Sequence, residues 1–211
     1  MKIIMSIKTL GAAVSLMLGS PLATAADTGV FYIGADVGST EFSGDGPGRN
    51  SVFTPGQAFK DSDTGYGVHG GFQFNAWFAL ELAYTDFGSA TDHYKIRPDI
   101  AFIVAPNDTQ TVEAQGISLA GAFSYGIGER FTVMGSLGIS SLHFISRFSG
   151  GFSEATGSLL EGHRFSDQGL IYGIGARYAF TNSVNIRIEL RRNDIGDFSL
   201  DRASLGLEYS F

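Results

Sequence analysis

The chain contains no cysteine. Disulfides, thiolate metal sites and a lipidated N-terminal cysteine are therefore excluded. Basic residues are scarce as well: 14 Lys and Arg stand against 21 Asp and Glu, for a net charge of −7. A nucleic-acid partner requires a basic face for its phosphates, so that class is excluded. Beyond the N-terminal segment no run of 18 apolar residues occurs, which removes membrane-spanning helices. What the chain does have is glycine, at 29 residues, and aromatic side chains, at 13% with Phe dominant. That usage suits short, closely packed strands better than helices.

The N-terminus reads as a secretory signal. Lys2 and Lys8 supply positive charge, Thr9 to Leu18 is mostly apolar or small, and Ala23-Thr24-Ala25 offers a small-x-small cleavage site. An apolar stretch of about ten residues is too short for a spanning helix, which needs roughly 20. Residues 1–25 are expected to be removed, leaving 26–211 as one domain of 186 residues. Losing the two lysines leaves 12 basic against 21 acidic groups, or −9.

Through this mature region apolar and small residues alternate with period two in eight segments. Phe31, Ile33, Ala35 and Val37 oppose Gly34, Asp36 and Gly38 in the first. Tyr66, Val68, Phe72 and Phe74 oppose Gly67, His69, Gly71 and Gln73 in the second. Leu80, Leu82 and Tyr84 oppose Ala79, Glu81 and Ala83 in the third. The fourth, fifth and sixth segments centre on Ile117 to Tyr125, Phe131 to Ile139 and Leu170 to Phe180. Ile186, Ile188 and Leu190 oppose Arg187, Glu189 and Arg191 in the seventh. The eighth ends the chain, with Leu205, Leu207, Tyr209 and Phe211 opposite Gly206, Glu208 and Ser210.

The polar face decides the environment. It consists largely of Gly, Ala and Ser with a few charges, whereas a solvated exterior is richer in Lys, Glu and Thr. Small residues suit the crowded interior of an eight-stranded barrel, so the bulky face turns to lipid. The connections agree. Those near Asn75-Ala76, Gly126 to Arg130 and Thr181 to Ser183 are short, and they alternate with longer ones near 43–63, 89–110 and 149–163. Outer-membrane barrels have this asymmetry. Phe74, Trp77, Tyr125, Phe131, Tyr178, Phe180 and Tyr209 gather at the short-turn ends, as an interfacial aromatic girdle would. The expected fold is all-β: an eight-stranded antiparallel up-and-down barrel in the outer membrane of a Gram-negative-type bacterium.

Several segments resemble the transmembrane domain of outer membrane protein A. They are Tyr32-Ile33-Gly34-Ala35, Gly70-Gly71-Phe72-Gln73, Leu80-Glu81-Leu82-Ala83-Tyr84, Ala114-Gln115-Gly116, Arg187-Ile188-Glu189, Asn193-Asp194-Ile195-Gly196 and Ser204 to Phe211. The resemblance covers all eight strands and fails in the long loops. It implies an interior ion pair between Glu81 and Arg187. The family's second pair is lost, because its lysine falls at Ala122 and its glutamate at Arg177. Tyr209 and Phe211 resemble the C-terminal signal read by the barrel-assembly machinery. The sequence given stops at Phe211, so the resemblance implies no peptidoglycan-binding domain.

An interior polar network of Glu81, Arg177, Arg187, Glu189 and Arg191 is expected, structural or gating. Gly65-Tyr66-Gly67-Val68-His69-Gly70 satisfies GxGxxG, but it lies inside a strand rather than between strand and helix, so it is not a dinucleotide site. His143 with Ser146, and His93 and His163 beside Asp92 and Glu161, are the only groupings that resemble acid–base or ligand sets. They lack the geometry of a triad or a zinc site. No cofactor, metal or catalytic residue is therefore expected. Val52, Phe53, Phe59, Ile100, Phe102, Ile103 and Val104 place apolar side chains in the loops, either as a surface for a partner or, for Ala101 to Ala105, as an extension of the strand-four hairpin beyond the membrane. The expected role is envelope integrity and surface contact. Its alternative is a narrow, porin-like pore for small solutes, and a lipid-modifying enzyme stands third. Outer-membrane lipids and the assembly machinery are the expected partners.

Overall fold

A computed structural model describes residues 29–44, 59–93, 109–149, 163–196 and 198–211. The expected signal segment and most of the three long loops, with Val52, Phe53, Ile100, Phe102, Ile103 and Val104, lie outside the described residues. Phe59, expected in a loop, instead opens a strand, because the second strand begins well above the alternating stretch. Eight strands follow one another: β1 Val30–Gly44, β2 Phe59–Asn75, β3 Phe78–His93, β4 Thr109–Ile127, β5 Phe131–Ser149, β6 His163–Ala179, β7 Val184–Ile195 and β8 Phe198–Ser210. Each pairs antiparallel with its neighbours, and β1 pairs with β8, so the sheet closes into a barrel. Closure satisfies every strand edge, as a lipid-embedded sheet requires.

The strands are longer than the alternation suggested. Six of them run 15 to 19 residues, whereas crossing a bilayer takes about 9–11. The surplus lies at the long-loop end, so the barrel projects beyond the lipid. His93 and His163 consequently terminate β3 and β6 instead of sitting in loops. At the other end β4 continues to Ile127, paired with Phe131, and the turn tightens to residues 128–130. Gly128 makes that turn at φ 70°, a conformation glycine adopts without steric cost.

The two faces exchange character along the barrel axis. On β1 the outward residues Phe31, Ile33 and Val37 are apolar and exposed, then give way to Ser39 and Glu41. The inward residues run the other way, from Gly34, Asp36 and Gly38 to buried Phe42. β8 repeats this with Leu207, Leu205 and Asp201 outside and Glu208, Arg202, Leu200 and Phe198 inside. β4 does so as well: Leu119, Ile117, Gln115 and Glu113 face out, while Ala120, Ser118, Ala114 and Val112 face in. The lower barrel is thus packed for lipid, and the upper barrel is packed like a water-soluble barrel, with the apolar side inward. The exchange marks the outer interface between Val37 and Ser39, Ile117 and Gln115, and Leu190 and Arg192.

Candidate functional site

Two layers fill the lumen. The lower is ionic. Arg187 on β7 reaches across to Glu81 on β3, with Nη1–Oε2 at 2.6 Å and Nη2–Oε1 at 3.1 Å. The same guanidinium donates to Glu189 at 3.0 Å and to Glu208 at 3.2 Å. Arg191 donates to Glu81 and Glu189 at 3.1 and 3.0 Å. Arg177 lies 2.7 Å from Glu208 and 5.4 Å over the Tyr32 ring, and Tyr32 in turn donates to Glu81 at 3.1 Å. Arg202 pairs with Asp36 and donates to the Gly65 carbonyl at 3.3 Å. His69 stands between Asp36 and Glu208, 3.5 and 3.4 Å from them.

Four carboxylates (Asp36, Glu81, Glu189 and Glu208) therefore face four arginines (Arg177, Arg187, Arg191 and Arg202). Buried charges persist in an interior only when paired and hydrogen-bonded in this way. Glycines make the room. A Cβ on Gly34 would collide with the His69 imidazole, one on Gly71 with the Tyr32 ring, and one on Gly67 would press on the Asp36 carboxylate.

The structure brings the five expected network residues together, including Glu81 with Arg187. It also adds Tyr32, Asp36, His69, Arg202 and Glu208. Asp36, His69 and Glu208 already shared the small-residue face in the alternation, and their parity was the signal that could have placed them. Arg202 has the same parity as Glu208 but precedes the alternating stretch recognised on β8. Arg177 finds in Glu208 the acidic partner that the family pattern would not have offered it.

The upper layer is apolar. Phe42, Phe87, Val112, Leu142, Phe144, Ile195, Phe198 and Leu200 form one buried cluster. Phe144 stacks on Phe165 at 5.0 Å and meets Phe198 edge-on at 5.9 Å. Alternation alone does not reveal this cluster, because the apolar side of each strand turns from outward to inward above the membrane.

Outside, Phe74, Trp77, Tyr125, Phe131, Tyr178, Phe180, Tyr209 and Phe211 are all exposed near the short-turn end. Phe31, Phe72, Phe74, Phe78 and Phe123 extend this belt as consecutive ring contacts of 4.6 to 5.8 Å. The Phe211 amide donates to the Phe31 carbonyl at 3.0 Å, which seals β8 to β1.

At the outer rim the wall changes construction. The β2–β3 ladder ends at Tyr66–Asp86, beside a bulge at Phe87, although β1–β2 and β3–β4 continue upward. Side chains take over there: Asp63 accepts from the Ser89 amide at 2.8 Å and Asp61 from the Thr91 amide at 2.8 Å. The backbone amides of Ser89 and Thr64 hold the Asp63 carboxyl below the usual carboxylate range. Gly88 completes the bulge at φ 84°.

The remaining candidates do not assemble. His143 is exposed on the outside of β5, whereas Ser146 is buried inside and accepts from Gln110 at 3.0 Å. Gly65–Gly70 runs within β2, with no helix after it. Among the described residues no group of His, Asp and Glu is arranged to hold a metal ion.

A closed eight-stranded sheet with a lipid-facing apolar belt and a lumen of paired ions defines an outer-membrane barrel. The chain belongs to the outer membrane protein beta-barrel domain family, whose model matches residues 10–211. Among solved structures it is similar to OprG of Pseudomonas aeruginosa, at 17% identity and TM-score 0.58, covering 87% of this chain and 96% of that one. It is also similar to neisserial surface protein A, at 16% identity and TM-score 0.55, covering 86% and 97%. The attachment invasion locus protein Ail of Yersinia pestis aligns at 16% identity and TM-score 0.52, over 88% of this chain and all of that one. These likenesses show the fold. No curated protein sequence matches the chain.

Proposed function

We propose that the barrel is a structural and surface-contact protein with a closed lumen, stabilising the envelope and raising its loops above the outer leaflet. The observation that carries this reading is the stacking of two plugs. An ionic layer is linked across the barrel by Arg187, and an aromatic layer built on Phe144 lies above it. A conducting path would have to displace paired charges and an apolar core in succession. Refolded protein in a planar lipid bilayer is expected to give no stepwise conductance, and steady single-channel steps would reject the closed lumen. The surface role is tested in a deletion strain, which should show increased detergent sensitivity or reduced adhesion. A strain unchanged in both removes it.

The outward upper barrel favours contact over transport. Its surface of Ser, Thr, carboxylates and the exposed Lys60, Arg147 and Arg164 stands clear of the lipid. Ail has been crystallised with the heparin analogue sucrose octasulfate, which makes a surface partner reached through loops the natural expectation here. Outer-membrane lipids contact the belt, and Tyr209 and Phe211 are assigned to recognition by the assembly machinery. The reading gives the chain no catalytic role, since His143 and Ser146 face opposite sides of β5. Unchanged lipid by mass spectrometry after incubation is the expected result.

A further inference from the structure

The rim between β2 and β3 holds a groove of about 340 Å³ on the outer surface, lined by residues that include Tyr66, Asp86, Ser89, Glu113, Gln115 and His143. It exists because the two hairpins part above Tyr66–Asp86 and the bulge turns β3 away. Bulges of this kind re-aim side chains at functional places. Its height is fixed by the exchange of faces. Val68, Leu82 and Ile117 just below face lipid, while Thr64, Ser89 and Gln115 beside it are exposed polar residues. The groove therefore opens at the headgroup level of the outer leaflet, continuous with the lipid-facing belt.

We infer that this groove binds a neutral or amine-bearing sugar unit of the outer-leaflet glycolipid. The lining determines the class. The Asp63 carboxylate is spent on the Thr64 and Ser89 amides. Asp86, which accepts from the Gly88 amide at 2.9 Å, and Glu113, which pairs with Arg147, keep further carboxylate lone pairs as acceptors for hydroxyl or ammonium donors. The Gln115 carbonyl is occupied by the Tyr84 hydroxyl at 2.8 Å, which leaves its amide N–H groups as donors to a ligand. The Tyr66 ring offers an amphipathic wall, apolar in face and polar at its tip. No Lys or Arg lines the groove, and Arg147 nearby is engaged by Glu113. A phosphate would meet three carboxylates against the single charge of Arg147, which is already paired with Glu113, so it is disfavoured. The volume is that of a small-ligand pocket and suits one sugar rather than a chain of them. This inference rests on the barrel's place in the outer membrane and not on the closure of its lumen.

The full chain in phosphatidylcholine nanodiscs, followed by amide NMR shifts, tests it. Glucosamine should give saturable shifts at Tyr66, Gly88, Ser89 and Gln115, glucose weaker ones at the same residues, and glucose 6-phosphate the weakest. Discs that also contain rough-type lipopolysaccharide should show the same residues shifted without added sugar. In the Asp86→Asn, Gln115→Ala double variant the apparent affinity for glucosamine should fall at least about tenfold with the barrel spectrum otherwise retained. Tyr66→Leu, which keeps the strand apolar, serves if the double variant does not fold. The inference is overturned if neither glucosamine nor glucose shifts the groove, or if the phosphate sugar binds as well as glucosamine. Equal binding by variant and parent overturns it too, and a groove that answers soluble sugars but not lipopolysaccharide overturns the glycolipid as its occupant.

Discussion

Glu81 accepts both terminal nitrogens of Arg187 across the lumen, 106 residues away in sequence, at 2.6 and 3.1 Å. The pair joins β3 to β7 through the barrel's centre, where no backbone contact links them. Arg187 also touches Glu189 and Glu208, so it cross-braces three strands. Losing Glu81 leaves two arginines, Arg187 and Arg191, short of a partner in a site closed to water.

Glu81→Ala is accordingly expected to lower unfolding stability by about 3–5 kcal/mol, the usual cost of removing one partner from a buried pair. The urea midpoint in detergent micelles measures it, with the sheet content of the variant checked by circular dichroism. A midpoint equal to that of the parent would show that the network can re-pair around the gap.

Gly34→Ala tests the same layer through space instead of charge. The added Cβ would fall on the His69 ring, and close-packed interiors resist even one extra methyl group. A loss of about 1–3 kcal/mol is expected, the range for an overpacked core. Gly135→Ala is the control: the nearest atom to its added Cβ, the Gly173 carbonyl oxygen, is 3.8 Å away, an ordinary contact, and its midpoint should not move.

Period-two alternation made the fold legible, because one face of small residues and one of bulky residues can be read without knowing the partners. Glu81 and Arg187 were legible through their resemblance and their shared parity. The upper core was not. Phe42, Phe144 and Leu200 lie on the face that holds Asp36, Ser136 and Arg202 lower down, so their burial reverses the rule that identified the lower strands. The rim groove was hidden for another reason: a bulge at Phe87 shifts parity within a strand, and nothing at Asp86-Phe87-Gly88 announces it before the register is known.

The upper core should behave as a true core. Phe144→Ala removes a ring stacked on Phe165 and set against Phe198, and a loss of about 3–5 kcal/mol is expected. Ile139→Ala, two turns of the pleat below on the lipid side, exposes no water-filled gap and should cost much less. Urea midpoints for the two variants in the same micelles give the comparison, and equal losses would contradict a packed lumen above the membrane.

The side-chain bridge at the rim has a pH signature. Asp63 is held below the ordinary carboxylate value, about 3.9, by amides that donate only to its oxygens. A depressed folded value means the bridge is fully formed above the ordinary value and is lost as pH falls through the folded one. Amide exchange at Ser89, corrected for its intrinsic rate, should be slow near neutral pH and should quicken below about pH 4. In Asp63→Asn the corrected rate should be raised and flat across that range. A parent profile that is flat as well would show that Asp63 does not guard the β2–β3 seam.

The outer interface can be located by a pair of substitutions on one face of β4. Leu119 and Thr111 both point outward, eight residues apart, with the change from Ile117 to Gln115 between them. An arginine at Leu119 enters hydrocarbon, and such a charge costs about 2–4 kcal/mol near the midplane and about 0–1 near the interfaces. An arginine at Thr111 stands in water beside Glu113 and opposite Arg147, where the like charge should cost no more than about 1 kcal/mol. The difference between the two urea midpoints in phospholipid vesicles therefore reads depth directly. If Thr111→Arg were as damaging as Leu119→Arg, the upper strands would be immersed in lipid, their polar exterior would have no solvent, and the exchange of faces along the barrel would need another cause.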